Sequence, residues 1–161
     1  MFENKTEITN KIIVEFSKTI EMFDLTPAEA RLFTYLYLEE KPLTLDEMSE
    51  ALGKSKTAMS NSIRNLANLN LVTRVWKRGV RKDLYKANTQ LFKIFVNSYI
   101  NKWIDATNFQ KMSLAEIHKN VKQINKPIMS KEELATINNY LEELIEFHNE
   151  IESLFTDMKQ D

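Results

Sequence analysis

The sequence predicts a mostly α-helical protein with a single β-hairpin near its middle. Only 2 glycines and 3 prolines interrupt the 161 residues, and apolar residues recur at helical spacing along most of the chain. The exception is a β-branched run at residues 71–75, which a bend at Gly79 separates from a second strand candidate at residues 82–86. The chain is long enough to form a core without disulfides, and it contains no cysteine.

Two helices are predicted before residue 40. The first covers residues 6–23, where isoleucines and phenylalanines keep helical spacing. The second begins with Thr26 as N-cap and Pro27 at the first helical position, where the missing proline N–H removes no hydrogen bond. It ends near Leu38, and its expected buried face consists of Leu32, Phe33, Leu36 and Tyr37.

Two shorter helices follow, separated by a tight turn. Thr44 and Glu47, at the start of a helix over residues 45–52, predict a reciprocal capping box. Gly53 supplies the left-handed conformation that ends this helix, and Ser55 is a suitable N-cap for the next one. That next helix is expected to reach Leu69 and to bury Met59, Ile63, Leu66 and Ala67.

The other face of this helix and the hairpin carry the residue types that contact DNA. Hydroxyls and an amide near a helix N-terminus, with a cation one turn further, donate to phosphates and reach base edges in a major groove. A solvated polar face would be the simpler interpretation of an isolated helix. Residues 54–86, however, contain nine Lys and Arg and only one acid, although the net charge of the whole chain is −1. This concentration of positive charge indicates a phosphate-binding surface. The predicted DNA contacts are Ser55, Lys56, Thr57, Ser60, Asn61 and Arg64 on the helix, and Lys77, Arg78, Arg81 and Lys82 in the hairpin.

Two short helices followed by a basic hairpin are the elements of a winged helix-turn-helix, in which the hairpin is the wing. Three strings, PLTLDEMSE at residues 42–50, SKT at 55–57 and VWKRGVRKD at 75–83, resemble the GbsR branch of the MarR-type transcriptional regulators. The similarity covers roughly residues 25–110 and is most specific in the wing. It implies a homodimeric repressor. Members of this branch that control glycine betaine synthesis or choline uptake sense choline, while others lack that response.

This architecture predicts three regions. Residues 1–24 form an N-terminal dimerisation helix, which is expected to pack on the partner subunit rather than on its own DNA-binding domain. Residues 25–88 form the winged helix-turn-helix DNA-binding domain. Residues 89–161 form a helical region for dimerisation and ligand sensing.

The last region is predicted to contain three helices. They cover residues 90–108, 113–124 and 130–158, and Ser130 with Glu133 forms a capping box at the start of the third. Heptads in the third helix predict pairing, either with the N-terminal helix or across a two-fold axis. One series is Ile137, Leu144, Ile151 and Met158, and the other is Leu134, Leu141, His148 and Phe155. His148 interrupts the second series, and an interface residue is the favoured interpretation over a metal ligand.

Aromatic residues recur along one face of the predicted helix at 90–108. Burial in a core or a dimer contact is the simpler interpretation of such a stripe. The alternative is a pocket for a quaternary ammonium ion, whose diffuse charge is attracted to aromatic faces, and the resemblance implies choline. Trp76, at the root of the wing, either joins that pocket to the hairpin or covers the hairpin base. The predicted ligand-binding residues are Trp76, Phe95, Tyr99, Trp103 and Tyr37.

Several classes of protein are disfavoured. No run of about 18 apolar residues occurs, and the N-terminal residues 1–5 are too polar for a signal peptide, so a soluble cytoplasmic protein without a membrane partner is predicted. No glycine-rich phosphate loop, nucleophile elbow or metal-ligand spacing is present, which predicts a protein that is not an enzyme and has no cofactor or metal.

The predicted partners are a double-stranded DNA operator, a second copy of the chain and a small-molecule effector, with choline as the candidate. Two alternatives stay open. One is a regulator of the same family with a different ligand or none. The other is a winged-helix interaction module whose basic face meets an acidic protein and does not bind DNA.

Overall fold

The computed structural model describes residues 1–159, which form six helices and a two-stranded sheet. In chain order they are α1 (Lys5–Glu21), α2 (Pro27–Leu38), α3 (Leu45–Leu52), α4 (Lys56–Asn68), β1 (Val72–Val75), β2 (Leu84–Ala87), α5 (Leu91–Lys122) and α6 (Lys131–Met158). They divide into two compact units, Met1–Phe95 and a second that starts at Val96. None of the helices described is both long and apolar enough to span a bilayer. The predicted mostly α fold with a two-stranded wing is confirmed.

Side-chain caps begin the helices largely where the sequence predicted them. In α2 the Thr26 hydroxyl accepts from the Glu29 N–H at 3.2 Å, and the Glu29 carboxylate accepts from the Thr26 N–H at 3.0 Å. At α3 only half of the predicted box forms, because Thr44 accepts from the Glu47 N–H but the Glu47 carboxylate does not return a bond. The negative charge of the Glu47 carboxylate instead contributes to the raised pKa of the Lys82 ammonium.

A glycine ends α3 as predicted. Gly53 has φ +64° and ψ +32°, in the left-handed region that side chains with a Cβ disfavour. A Cβ at this position would meet no atom within 4 Å. The requirement for glycine therefore comes from the backbone conformation alone.

Replacing Gly53 with alanine is expected to lower the free energy of unfolding by about 1–2 kcal/mol, the cost of a left-handed L-residue. No steric clash adds to that cost, because the surrounding space is open. Chemical denaturation measures the change. Gly53→Asn is the matched control and should lose less, since asparagine adopts this conformation more readily. Equal losses in the two variants would contradict a cost set by backbone conformation.

The core of the first unit is formed by α1 to α4, the sheet and the first turn of α5. Its centre is Phe33, which is fully buried and meets Phe95 edge to face at a centroid distance of 5.2 Å. Such aromatic pairs add to the stabilisation that burial provides. Of the predicted core residues, Tyr37 and Ala67 are only partly buried. The others are buried, namely Leu32, Phe33, Leu36, Met59, Ile63 and Leu66.

The first helix packs on the second helix of its own chain. Ile13 and Ile20 are buried, and the Ser17 hydroxyl lies 3.4 Å from that of Thr34 on α2. The expectation that α1 packs on a partner rather than on its own chain is therefore wrong for this face. The helix carries more apolar residues than one face can bury, and Ile12 stays exposed. A part for α1 in dimerisation remains a prediction.

The wing is an antiparallel hairpin with an additional strand contact. Val72 pairs with Ala87, and Val75 pairs with Leu84. Leu43, just before α3, forms an isolated bridge to Tyr85, with both N–H to O distances at 2.9 Å. The sequence gives no sign of this bridge because it involves a single residue. It ties the start of α3 to the wing.

The predicted break near residue 110 does not exist. α5 runs without interruption through residues 109–113, because that stretch contains neither proline nor glycine. Ser113, which was expected to start a new helix, instead donates its hydroxyl to the Phe109 carbonyl at 3.1 Å. This back-bonding is typical of serine inside a helix.

In the second unit α6 pairs with α5, which is not a partner that the sequence argument considered. The Trp103 and Phe155 rings lie 4.9 Å apart, and His118 on α5 lies 3.7 Å from Glu142 on α6, so the helices are antiparallel. Pairing of α6 with the N-terminal helix or across a two-fold axis remains a prediction. Leu141 is buried in this pairing, whereas Leu144 of the other heptad series is exposed.

The interrupting histidine has a local partner. His148 Nδ1 lies 2.6 Å from the Leu144 carbonyl oxygen one turn earlier, a distance that fits a hydrogen bond from the ring. Within residues 1–159, no three His, Asp or Glu side chains come together as a metal site.

Candidate nucleic-acid interface

Two polar contacts fix α4 to the helices before it. The Asn65 amide donates to the Glu29 carboxylate at 2.9 Å, and the same carboxylate closes the capping box of α2. In the turn between α3 and α4, the Ser49 hydroxyl donates to the Lys54 carbonyl. Together with the buried apolar face, these bonds set the orientation of α4 on its unit.

The outer face of α4 is polar and accessible. Lys56, Thr57, Asn61 and Arg64 are exposed, and Ser60 is half-buried at the edge of the same face. Ser55 acts as the N-cap, since its side chain accepts from the Ala58 N–H at 3.1 Å. The structure thus brings the predicted α4 residues onto one surface, while their contact with DNA remains a prediction.

The tip of the wing presents cations to solvent. Residues 76–83 are all exposed, and Gly79 bends the tip at φ +82° while the Val80 N–H donates to the Lys77 carbonyl at 3.1 Å. Arg74 forms an ion pair with Asp83 across the hairpin. Among the described residues, Lys77, Arg78 and Arg81 form no ion pair, which leaves their charges available to a ligand.

One acid joins α3, α4 and the wing. Asp46 Oδ1 lies 3.3 Å from the Lys56 ammonium, and Oδ2 lies 2.5 Å from that of Lys82. We call this three-residue contact the Asp46 bridge. It borders a cavity of about 270 Å³ that Arg81 also lines. Sequence reasoning missed Asp46, because Lys82 is 36 residues away and no local spacing connects the two.

The bridge changes the acidity of its members. Hydrogen bonds from Lys82 first, and from Lys56 second, lower the pKa of the Asp46 carboxyl. The hydrogen bond to Asp46 raises the pKa of the Lys82 ammonium. Both shifts favour the charged forms.

We expect Asp46 to titrate with a pKa below its ordinary value of 3.8, because the lysine hydrogen bonds stabilise its ionised form. Because this pKa is depressed, the stabilisation is present above the unfolded-state pKa and is lost as pH falls through the folded-state pKa. Carboxyl carbon shifts measured by NMR across the acid range follow the titration. Lys82→Gln is the matched variant and should raise the pKa toward 3.8. A pKa that Lys82→Gln leaves unchanged would show that the bridge does not form.

Two of the predicted ligand-binding aromatics meet in the second unit. The Tyr99 and Trp103 rings lie 4.5 Å apart, and Trp103 in turn meets Phe155 of α6 at 4.9 Å. We call these three residues the aromatic cluster. Trp103 keeps 40% of its surface exposed. Phe155 was predicted only as a heptad residue, since nothing in the local sequence links it to Trp103.

The other three predicted aromatics lie in the first unit. Phe95 is only 5% exposed and packs with Phe33 in the core, as the simpler interpretation of the aromatic stripe expects. Tyr37 also flanks Phe33, at a centroid distance of 6.3 Å. Trp76 is 80% exposed at the root of the wing. A ligand-binding role for these three residues stays a prediction.

Comparison with known proteins is consistent with this geometry. The family model described as MarR family matches residues 23–81. The chain is 27% identical over 137 residues to the HTH-type transcriptional repressor OpcR of Bacillus subtilis (strain 168), which covers 84% of this chain and 74% of that protein. It is 28% identical over 143 residues to the HTH-type transcriptional repressor GbsR of the same organism, which covers 88% of this chain and 75% of that protein.

A solved structure shares the fold. A crystal structure of a transcriptional regulator aligns with a TM-score of 0.57 at 16% identity, covering 92% of this chain and 98% of that one. The family and these relatives are transcriptional regulators rather than enzymes, which agrees with the predicted absence of catalysis.

Proposed function

We propose that this chain is a winged-helix transcriptional regulator of the MarR family and that it represses transcription by binding a duplex operator through α4 and the wing. The observation that carries the proposal is the exposed cationic surface formed by the wing tip and the outer face of α4. Lysines and arginines on such a surface neutralise phosphates, and the hydroxyl and amide groups of α4 can read base edges. The relatives named as repressors support the sign of regulation.

The operator-binding form is proposed to be a homodimer. In the second unit, several apolar residues of α6 are exposed, and they include Ile137, Leu144 and Leu154. Exposed apolar residues that recur along one helix are typical of a protein-protein interface. A two-fold dimer would place its two α4 helices at half-sites about 34–36 Å apart, one turn of the duplex.

Within the family, we place the chain in the GbsR branch and propose choline as its effector. The aromatic cluster supplies ring faces to a quaternary ammonium group, which attracts the ring quadrupole without needing hydrogen bonds. Trp103 is central to the cluster and accessible, and tryptophan is the strongest partner of a cation among the aromatic residues.

A cavity in the first unit is less suited to a cation. It has a volume of about 630 Å³ and lies between α1, α2 and the end of α3. Its charged lining residues are Lys5, Arg31 and Glu39, and Tyr35 is its one aromatic residue. Two cations against one carboxylate leave this lining with a positive balance, and it offers a single aromatic ring, so the aromatic cluster is favoured as the choline site.

The proposed response is a shift between two arrangements of the dimer. One arrangement of the dimer fits the operator and the other does not. Choline weakens operator binding only if its affinity for the second arrangement is higher than its affinity for the first. A coupling free energy of about 1–3 kcal/mol would weaken operator binding by about 5- to 150-fold. Operator binding titrated at several choline concentrations tests this response. If choline at saturation leaves the affinity unchanged, the ligand proposal fails while the repressor proposal stands.

One observation favours a second candidate, a regulator of this family without a choline response. The Trp103 ring already contacts those of Tyr99 and Phe155, at centroid distances of 4.5 and 4.9 Å, which leaves no room for a trimethylammonium group between the rings of either pair. Choline would have to bind against the exposed side of Trp103 or separate the rings. In the second candidate the cluster only stabilises the pairing of α5 and α6.

A further inference from the structure

We infer that Asp46 determines DNA specificity, because the Asp46 bridge fixes the wing to α4 and keeps two lysines from the phosphates of non-cognate DNA. This inference rests on the proposed function, since it concerns the same DNA-binding surface. It adds an acidic residue to a set of contacts that otherwise consists of cations, hydroxyls and an amide.

The geometry of the bridge links the two elements that DNA must meet together. Asp46 is the second residue of α3, Lys56 is the first residue of α4, and Lys82 lies two residues before β2. Each oxygen of the Asp46 carboxylate pairs with one lysine ammonium group, so a single side chain connects α4 to the wing. Leu43 adds a backbone bridge to β2 just before α3, which places Asp46 against the wing.

The bridge is open to competition from phosphate. The side chains of Asp46, Lys56 and Lys82 are 43%, 59% and 66% exposed. Ion pairs this exposed are weak, and a phosphate oxygen is an acceptor of the same kind as a carboxylate oxygen. A phosphate that approaches the adjoining cavity would meet Arg81 as well as the two lysines. Asp83 also lines this cavity, and its charge is paired with Arg74. The Asp46 carboxylate therefore stands where a phosphate would bind.

The bridge has opposite effects on the two kinds of DNA. Non-cognate binding is almost entirely electrostatic, so one negative charge beside the phosphates and two engaged lysines weaken it. Operator binding also needs base contacts from α4 in register with the wing, and a fixed arrangement of the two elements favours that register. Removing the Asp46 charge therefore strengthens non-cognate binding more than operator binding.

The test is Asp46→Asn, with binding to an operator duplex and to a shuffled duplex of the same length measured across a salt series. We expect the variant to bind the shuffled duplex about 3- to 10-fold more tightly, with a salt slope steeper by about one phosphate. Operator affinity should change less, so the ratio of the two affinities falls. Asp46→Glu, which keeps the charge, should restore the wild-type ratio.

Glu50→Gln is the matched control, because Glu50 is an exposed acid on the same helix and its loss changes the net charge equally. If Asp46→Asn and Glu50→Gln change the two affinities and the salt slopes equally, the effect comes from the overall charge of the protein, and the inference is overturned. Weaker binding of Asp46→Asn to both duplexes would also overturn it. A wild-type protein that binds neither duplex would overturn the proposed function itself, and this inference with it.

Discussion

Replacing Lys77, Arg78 and Arg81 together with glutamine is expected to weaken binding to every duplex by about 100-fold at physiological salt. Each phosphate contact that is lost removes about 0.9 from the slope of log affinity against log salt, so the slope should flatten by about 3. The effect should be the same for operator and shuffled DNA, because phosphate contacts carry no sequence information. Arg78→Ala alone should flatten the slope by about one phosphate. Fluorescence anisotropy across a salt series measures both quantities.

The matched control for the wing variant removes the same charge elsewhere. Lys119, Lys122 and Lys126 are exposed and lie in the second unit, so their joint replacement with glutamine should change affinity and slope little. Similar losses in the two triple variants would mean that total charge, and not the wing, governs binding. An unchanged salt slope in the wing variant would show that the wing does not contact the phosphates.

Replacing Trp103 with alanine is expected to abolish the effect of choline on operator binding while operator binding itself persists. Trp103 contacts both other members of the aromatic cluster, and its loss removes the strongest ring face available to a quaternary ammonium group. The measurement is operator affinity with and without saturating choline, in which the wild-type protein should show the 5- to 150-fold weakening of a coupling of about 1–3 kcal/mol.

Two comparisons sharpen this test. Phe109→Ala removes an exposed aromatic of the same helix and should leave the choline response intact. Trp76→Ala should abolish the response if Trp76 couples the effector to the wing. A normal response in both Trp103→Ala and Trp76→Ala would place the ligand elsewhere or show that there is none.

The elements of this fold that have local causes could be predicted from the sequence. Thr26, Ser55 and Ser130 each begin a helix because their side chains accept a hydrogen bond from the backbone three residues ahead. Gly53 ends α3 for an equally local reason. The wing was predictable from the β-branched strand and the glycine bend, although both strands begin later along the chain than the sequence indicated.

Features that depend on distant residues could not be predicted. Asp46 meets Lys82, and Glu29 meets Asn65, in each case across 36 residues. These contacts appear only once the helices are packed, so no spacing rule finds them. The error in α5 has a different origin, because a new helix was predicted to start at Ser113 although no proline or glycine ends the helix before it.

The candidate ligand site shows the same limit. Helical spacing places Phe95, Tyr99 and Trp103 on one stripe of α5, yet it does not distinguish their environments. Phe95 is buried among the aromatics of the first unit, whereas Trp103 is accessible and meets Phe155. Which residue of a stripe is accessible depends on the element that packs against it, and the contact of α5 with α6 was not predicted from the sequence.

The most direct test of the central claim compares two affinities of the protein. One is for DNA fragments from upstream of its own gene and of neighbouring osmoprotectant genes, and the other is for shuffled DNA. Fluorescence anisotropy at one fixed salt concentration measures both. A repressor that reads an operator through α4 should bind one of the upstream fragments about 10³-fold or more tightly than the shuffled duplex. Equal affinity for all fragments, or binding to none of them, would contradict the proposed function.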